Sequence, residues 1–409
     1  ALPMQAGTGI AVACFLAGCL GMVLLSRRGR GLPWAELSAA LAFAGLLGAI
    51  GLGAGAAGLA ACGAGNEGGS DNGTSSAGGG DAATVSGSIK GAGASSMEKA
   101  QGEWMAKFSE ANPDATVEYS PDGSGTGREK FINGAVNFAG SDSAMDEEEM
   151  ASAKEKGCTA DTIQFPVYVS PIAVAYNLEG VEDLNLSAEV IADIFNHKIT
   201  TWDDEAIKAD NPDAELPSTK ITTVNRSDDS GTSKNFQNYL VAAAGDKWPY
   251  EPEDAWPVKG GEAAKGTSGV VDAMGAGEGT IGYADASQIG DLGAAKVKNG
   301  DEFVEYSPEA AAKILESAKR VDEASKTNFA VELDQANAGA GVYPVVLVSY
   351  AIACSEYSDA DAAKTTKAYL EYITSQEGQD AAAEAAGSAP LSSAAQKSAK
   401  SAIGNIKAD

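Results

Sequence analysis

The sequence has little positive charge. Its 409 residues include 29 Lys and Arg against 57 Asp and Glu, which gives a net charge of −28 at pH 7. Residues 1–61 contribute +2 to this total, so the remaining residues carry −30. A nucleic-acid binder needs a basic face to displace counterions from phosphates, and docking on anionic lipid needs a basic patch. The shortage of cations argues against both functions, and the overall field does not attract an anion.

Histidine and cysteine are also scarce, which argues against several kinds of catalytic and metal site. The sequence has one histidine, His197, which we expect on the surface of a helix. It has five cysteines, and no two of them form a CxxC motif. Usual zinc ligands and a nucleophile with an adjacent base are therefore not indicated. No period of 20–50 residues repeats along the sequence, so a solenoid is excluded.

The first 61 residues are typical of an export signal. Apolar runs at residues 7–25 and 37–61 each approach the ~20 residues needed to cross a bilayer, and an arginine cluster lies at residues 27–30. Basic, apolar and then small residues are the order of a secretory leader. The first 25 residues have three interpretations: a segment loosely like a wall-sorting tail, an upstream start, or a fused fragment.

Residues 59–62 read Leu-Ala-Ala-Cys and resemble the lipobox of bacterial lipoproteins, in which the cysteine is acylated. Residues 62–83 are nearly all small or polar and predict a flexible tether. We therefore expect Cys62 to carry a lipid that anchors the protein on the outer face of the cytoplasmic membrane. The alternative is a buried Gly/Ala-rich helix that happens to end in cysteine.

Outside the leader and the anchor, two cysteines remain, Cys158 and Cys354. An exported chain meets an oxidising environment, which predicts that they form a disulfide. The alternative is two separate buried thiols, since free cysteine is commonly buried.

Beyond the tether, short β-branched runs alternate with helical patterns, which predicts a mostly parallel sheet covered by helices. An apolar stripe predicts a helix over residues 97–111, and another helix is predicted over residues 309–325. A nearly continuous apolar run over residues 164–176 is broken by Pro166 and Pro171.

Three loops combine glycine with hydroxyl residues where a predicted strand leads into a predicted helix, at residues 91–96, 122–127 and 229–232. The first N–H groups of a helix lack partners and its dipole is positive there, so an anion is stabilised without net positive charge. Each loop alone is equally explained by helix capping. Three in one chain favour a site assembled between two lobes.

Two charged positions accompany these loops. Arg226 ends a predicted strand, and its planar fork matches an oxyanion, while Asp228 is placed to hold the guanidinium. The alternative is an ordinary surface pair. Asp142 follows another predicted strand. A carboxylate facing an anion is costly unless a proton is shared, so Asp142 would select a protonated oxyanion. Its alternative function is that of a helix cap.

Together these segments resemble the substrate-binding subunit of phosphate ABC importers, the PstS family. The resemblance runs from residue 88 to the C-terminus, roughly four fifths of the sequence. It is carried by GAGASS at 91–96, DGSGTG at 122–127, NFAGSD at 137–142, IADIFNHKITTWDD at 191–204 and NRSDDSGTS at 225–233. Where the family usually has an aromatic residue and a proline after its first loop, this sequence has Ser96 and Met97.

The resemblance implies an α/β fold of the two-lobed, clamshell periplasmic-binding-protein type (type II) with two hinge crossovers. The expected lobes are residues 84–170 plus 344–409 and residues 171–343, with crossings near 168–172 and 343–346. The phosphate ligands that it implies are Ser95, Ser96, Ser124, Asp142, Arg226, Ser230, Gly231 and Thr232. Asp228 is expected to support Arg226 without contacting the ligand.

The implied function is that of an extracytoplasmic, monomeric phosphate-binding protein that delivers phosphate to the membrane subunits of an ABC importer. It is not an enzyme, and it needs no metal or cofactor. The nearest alternative is a binder of another oxyanion, such as sulfate or molybdate, on the same fold. A secreted phosphatase is a further alternative, and a second function as adhesin or sensor stays open.

Overall fold

The computed structural model describes residues 85–336 and 339–408. The predicted leader, the tether and Cys62 lie outside the described residues. Within them, none of the helices has the length and apolar character that a membrane span requires.

Strands and helices alternate through residues 87–156, as predicted, while later parts of the described chain also contain runs of strands and runs of helices. The strands are β1 (Gly87–Gly93), β2 (Ala115–Ser120), β3 (Phe138–Ser141), β4 (Thr162–Asn177), β5 (Asn185–Leu186), β6 (Thr222–Arg226), β7 (Glu262–Ala264), β8 (Thr280–Asp285), β9 (Gly293–Ala294), β10 (Lys296–Asn299), β11 (Glu302–Val304), β12 (Lys319–Arg320), β13 (Val331–Glu332), β14 (Val346–Cys354), β15 (Glu356–Tyr357) and β16 (Lys407–Ala408). The helices are α1 (Glu98–Ala111), α2 (Ser124–Ile132), α3 (Glu147–Lys156), α4 (Ala188–Phe195), α5 (Glu205–Asp210), α6 (Gly231–Ala244), α7 (Gly266–Ala276), α8 (Pro308–Ala312), α9 (Ala360–Ile373), α10 (Gln376–Ala386) and α11 (Ser393–Ile403).

The main sheet of the described residues has the strand order β2-β1-β3-β14-β4-β8-β6-β7, with β9 beside β4. Strands β2, β1 and β3 are parallel, and so are β8, β6 and β7. Between these groups, β14 and β4 run antiparallel to their neighbours. We call the β1–β3 half lobe I and the β6–β8 half lobe II. The predicted two-lobed fold is confirmed, while the residue boundaries of the lobes stay a prediction.

Strand β4 carries the chain from one half of the sheet to the other. Its residues up to Pro171 pair with β14, and those from Ile172 onward pair with β8. The apolar run that contains Pro166 and Pro171 thus forms one continuous strand. A proline lacks a donor for the ladder and is tolerated at irregular positions. Pro166 lies at the register shift opposite Tyr350, and Pro171 lies where the partner strand changes.

Two local predictions are wrong. The helix expected over residues 309–325 is shorter in the structure. Helix α8 ends at Ala312 and is followed by a 3-10 turn at Lys313–Glu316 and then by β12. Arg320 donates to the carbonyl oxygens of Ser325 and Asn328 at 2.7 Å, which holds the following chain as a loop. His197 is not on a helix, since α4 ends at Phe195 and His197 has a φ of 58°.

The sheet of lobe I is tied by a disulfide between Cys158 and Cys354, with 5.4 Å between their Cα atoms. This is the predicted pairing, and the structure excludes separate thiols. Cys354 ends β14 and Cys158 follows α3, so the bond joins parts of the chain 196 residues apart.

Aromatic rings support the end of β6 in lobe II. Phe236 and Tyr283 stack with 4.5 Å between their centroids, and Trp256 lies 5.2 Å from Tyr283. The hydroxyl of Tyr283 accepts a hydrogen bond from Arg226 N at 3.4 Å and lies 2.6 Å from Ser233 Oγ. The backbone of Arg226 is therefore fixed by a packed core.

Candidate anion-binding cleft

The first loop predicted for the site lies directly after β1. Gly93 has a φ of +149°, and a Cβ on it would lie 1.8 Å from the carbonyl oxygen of Gly140. Only glycine allows this close approach of two backbones. The amide of Ala94 donates to the same carbonyl at 2.8 Å. This contact positions Ser95 and Ser96, both of which are buried.

The second loop leads into α2. Ser124 is the first residue of that helix, and Gly123 before it has a φ of +100°. The amide of Gly123 donates to Gly93 O at 2.8 Å, which joins the second loop to the first. The hydroxyl of Ser124 accepts a hydrogen bond from Asp142 N at 3.1 Å.

Asp142 follows β3, and its carboxylate is surrounded by hydroxyl groups. Ser96 donates to both oxygens at 2.8 and 2.9 Å, and Thr232 donates to Oδ2 at 2.8 Å. Ser349 donates to Oδ1 at 2.7 Å. Asp142 is 3% exposed, and this burial raises its pKa although the hydroxyl donors and Arg226 lower it. The carboxylate is therefore more basic than an ordinary Asp.

Arg226 ends β6 and is 3% exposed. Its Nε and Nη2 donate to the two carboxylate oxygens of Asp228 at 2.8 and 2.5 Å, as the sequence predicted. Burial opposes the charge on Asp228, but the hydrogen bonds and charge of Arg226 outweigh it and lower the pKa of Asp228. A Cβ on Gly123 would lie 3.4 Å from Arg226 Nη2, so the guanidinium lies beside the second loop of lobe I.

The third loop begins α6 in lobe II. Ser230 caps this helix, accepting a hydrogen bond from Ser233 N at 3.3 Å. A Cβ on Gly231 would lie 2.6 Å from Ser143 N, so the start of α6 lies directly against the chain that follows β3. Thr232, whose hydroxyl contacts Asp142, completes the loop. The structure thus brings the predicted residues of both lobes together in one closed cleft.

Two further residues of the cleft were missed by sequence reasoning. Thr267, at the start of α7, donates from its amide to Ser95 Oγ at 3.0 Å. The Gly-Thr-Ser-Gly sequence at residues 266–269 repeats the glycine–hydroxyl signal of the other loops and was available to find it. Ser349 lies inside an apolar strand. The sequence around it contains no signal that separates it from an ordinary core serine.

The cleft is suited to a small oxyanion. It offers buried hydroxyl groups, the starts of four helices and one guanidinium that is already held by a carboxylate. In the part of the chain that the structure describes, Asp142 is the carboxylate placed among the cleft hydroxyl groups to accept a hydrogen bond from a protonated ligand. Among the described residues, no group of three or more His, Cys, Asp or Glu is arranged to hold a metal ion.

Two half-sheets joined by crossing strands, with helix N-termini meeting in a closed cleft, define the class of periplasmic binding proteins. The family model of the PBP superfamily domain matches residues 79–377. The chain is 33% identical over 288 residues to phosphate-binding protein PstS 3 of Mycobacterium leprae, which covers 69% of this chain and 78% of that protein. It is 31% identical over 299 residues to PstS 2 of Mycobacterium tuberculosis, covering 71% and 81% of the two chains. The chain therefore belongs to the PBP superfamily and, within it, to the PstS family.

Solved structures show the same fold. One is a high-affinity periplasmic phosphate-binding protein bound with phosphate, with a TM-score of 0.62 and 22% identity over 76% of this chain and 92% of that one. Another is a putative phosphate ABC transporter substrate-binding protein from Clostridium perfringens, with a TM-score of 0.54 and 20% identity over 75% and 100%.

Proposed function

We propose that the protein binds inorganic phosphate in the cleft and delivers it to the membrane subunits of an ABC importer. The observation that carries this function is the buried carboxylate of Asp142 among hydroxyl groups of both lobes. The PstS family membership supports the same ligand. The protein acts by binding and release, without catalysing a reaction.

The proposed ligand set comprises hydroxyl groups, backbone amides, one guanidinium and one carboxylate. It is Ser95, Ser96, Ser124, Asp142, Arg226, Ser230, Gly231 and Thr232. Hydroxyl groups rotate and both donate and accept, so they are able to exchange their present partners for phosphate oxygens. Asp228 keeps the Arg226 fork in one orientation, which reduces the entropy lost when the fork binds an oxyanion.

Asp142 accounts for selectivity. A phosphate that carries a proton donates a hydrogen bond from its P–OH group to the carboxylate oxygen, so the contact is favourable. Sulfate at neutral pH has no proton to donate, so two acceptors would face each other in a buried site. The raised pKa of Asp142 is consistent with a carboxylate that accepts such a bond strongly.

Closure couples binding to delivery. Ser96 and Asp142 belong to lobe I and Thr232 belongs to lobe II, so the complete set of donors exists only when the lobes meet. A ligand that contacts both lobes shifts the open–closed equilibrium by its differential affinity for the closed form. The closed protein then presents one surface to the permease.

The proposed location is the outer face of the cytoplasmic membrane. In this proposal a lipid attached to Cys62 anchors the chain there. We propose that the protein acts as a monomer; one chain supplies the whole proposed ligand set.

Thermal-shift titration with phosphate, arsenate, sulfate and molybdate tests the function. A ligand that binds only the folded state stabilises it by RT ln(1 + [L]/Kd). We expect large shifts for phosphate and arsenate, which are protonated at neutral pH, and none for the other two. A larger shift with sulfate or molybdate would assign the cleft to another oxyanion.

A further inference from the structure

Arg128 is a buried cation that is separate from the proposed ligand set. It lies on α2, the helix that begins at Ser124, and its side chain is 11% exposed. Its Nε donates to Glu149 Oε1 at 2.9 Å and its Nη1 donates to Ser141 Oγ at 3.1 Å. Both of these partners belong to lobe I. They hold the guanidinium in place whatever lobe II does.

The third partner of Arg128 comes from lobe II. Arg128 Nη2 donates to Asp254 Oδ2 at 2.6 Å, and the Asp254 side chain is also 11% exposed. Asp254 lies in the segment between α6 and β7. Its other carboxylate oxygen accepts a hydrogen bond from Ser143 Oγ at 2.7 Å. One carboxylate of lobe II therefore holds two residues of lobe I.

The backbone around Asp254 and Ser143 connects this contact to the cleft. Ser143 follows Asp142 directly, and the carbonyl oxygen of Asp254 accepts a hydrogen bond from Ser230 N at 3.0 Å. Movement of Asp254 relative to lobe I thus displaces the start of α6. The contact is linked through the backbone to ligand residues of both lobes.

We propose that Arg128 and Asp254 form an interlobe latch that sets how tightly the protein binds phosphate and how fast it releases it, without contacting the ligand. The latch forms only in the closed state, because opening separates Asp254 from both Arg128 and Ser143. In the open state Arg128 keeps Glu149 and Ser141, while Asp254 returns to water. The latch therefore adds to the stability of the closed form alone, and ligand affinity follows that equilibrium.

Substitution of Asp254 tests the latch. This role presupposes the proposed phosphate binding. Asp254→Asn keeps the size of the side chain and removes its charge. We expect it to weaken phosphate binding about tenfold or more, mainly through faster dissociation. The preference for phosphate over sulfate should not change, because Asp142 is untouched.

Asp193→Asn is the matched control. Asp193 is a half-buried carboxylate that pairs with Lys198 and Lys247, all within lobe II. The control changes the net charge by the same amount and leaves phosphate affinity and dissociation unchanged. Ser143→Ala is a small substitution that removes the second hydrogen bond to Asp254. It should weaken phosphate binding and speed release in the same direction as Asp254→Asn, but by less. Affinity is measured by calorimetry and release by stopped-flow fluorescence.

A double-mutant cycle that combines Asp254→Asn with Arg128→Gln shows whether the two residues act as a pair or independently. If the latch is correct, the double variant binds phosphate no more weakly than the weaker single variant. Equal affinity and release for Asp254→Asn and Asp193→Asn would overturn the latch. If the unchanged protein bound no phosphate, the proposed function would fail. The latch would then be judged by small-angle scattering of Asp254→Asn and the unchanged protein. The variant should have the larger radius of gyration, because it lacks the contact that holds the lobes closed. Equal radii would overturn the latch.

Discussion

Ser349 Oγ donates a hydrogen bond to Asp142 Oδ1 at 2.7 Å, so the strand that returns the chain to lobe I contacts the cleft carboxylate directly. Ser349 is fully buried and lies at the register shift between β14 and β4. Such irregularities commonly redirect a side chain towards a site. Strand β14 and the carboxylate of Asp142 are therefore directly connected.

Replacing Ser349 with alanine should change the titration of Asp142. This hydrogen bond lowers the pKa of Asp142, so its loss raises that pKa further. Asp142 is then protonated at higher pH, where it donates instead of accepting. We expect the preference for phosphate over sulfate to fade at a higher pH in Ser349→Ala than in the unchanged protein. Competition binding at a series of pH values from acidic to neutral measures this, with Ser349→Thr as the control that keeps the hydroxyl. Identical profiles would separate Ser349 from the selectivity of the cleft.

Asp142→Asn should relax the discrimination itself. The amide donates as well as accepts, so sulfate no longer faces an acceptor. We expect sulfate to bind better and phosphate to bind more weakly, with a thermal stability close to that of the unchanged protein. Calorimetric titration with both anions measures the ratio. A selectivity that survives in Asp142→Asn would assign discrimination to other groups.

Arg226→Ala should weaken phosphate binding by about 2–5 kcal/mol, since truncation also leaves the charge of Asp228 buried without its partner. Arg226→Lys keeps the charge but lacks the fork that pairs with both Asp228 oxygens. It should recover only part of the affinity. Equally tight binding by Arg226→Ala and the unchanged protein would remove Arg226 from the ligand set.

Asp285 should make stability depend on pH. It is fully buried at the end of β8, accepting hydrogen bonds from Tyr168 and Ser287, and burial raises its pKa to about 6. The folded state therefore binds the proton more tightly than the unfolded state. The contribution of this group is present at low pH and is lost as the pH rises from about 4 through about 6.

Asp285→Asn should remove the loss of stability that the unchanged protein shows as the pH rises. The variant should melt at a higher temperature near neutral pH than the unchanged protein, and its melting temperature should vary less with pH. Thermal denaturation at several pH values measures both. Asp291→Asn, an exposed carboxylate of the same lobe, is the control and should follow the unchanged protein. Parallel curves for Asp285→Asn and the unchanged protein would contradict the assignment.

The disulfide should stabilise lobe I. Because Cys158 and Cys354 lie 196 residues apart, their bond restricts a large loop of the unfolded chain. Replacing both with alanine should reduce the free energy of unfolding by about 2–5 kcal/mol while leaving phosphate affinity nearly unchanged. Urea denaturation of the variant and the unchanged protein measures the difference. No loss of stability, or a large loss of affinity, would contradict this separation of functions.

Local sequence signals predicted much of the cleft. Glycine and hydroxyl residues at a strand-to-helix turn, as at Ser96 and Thr232, indicate an anion site because the helix N-terminus is formed by neighbouring residues. Asp142 and the Arg226–Asp228 pair follow from their positions at strand ends. These features need no knowledge of how the lobes meet.

The features that were missed depend on distant contacts. Thr267 meets Ser95 across 172 residues of sequence, and Ser349 meets Asp142 across 207. Asp254 has no local motif that marks it as a partner of Arg128. Closure of the two lobes decides the positions of Thr267 and Asp254. The pairing of β14 beside β3 decides that of Ser349. Beyond α8, the pairing of β12 with β13 and the bonds of Arg320 to a loop likewise override the helical pattern of residues 309–325.

Calorimetric titration of the unchanged protein with phosphate and with sulfate at neutral pH tests the central claim most directly. The protein should bind one phosphate per chain and reject sulfate by a factor on the order of 10⁴, as expected for a buried site whose groups are left unpaired. Comparable affinities for the two anions, or no binding of phosphate, would contradict the account.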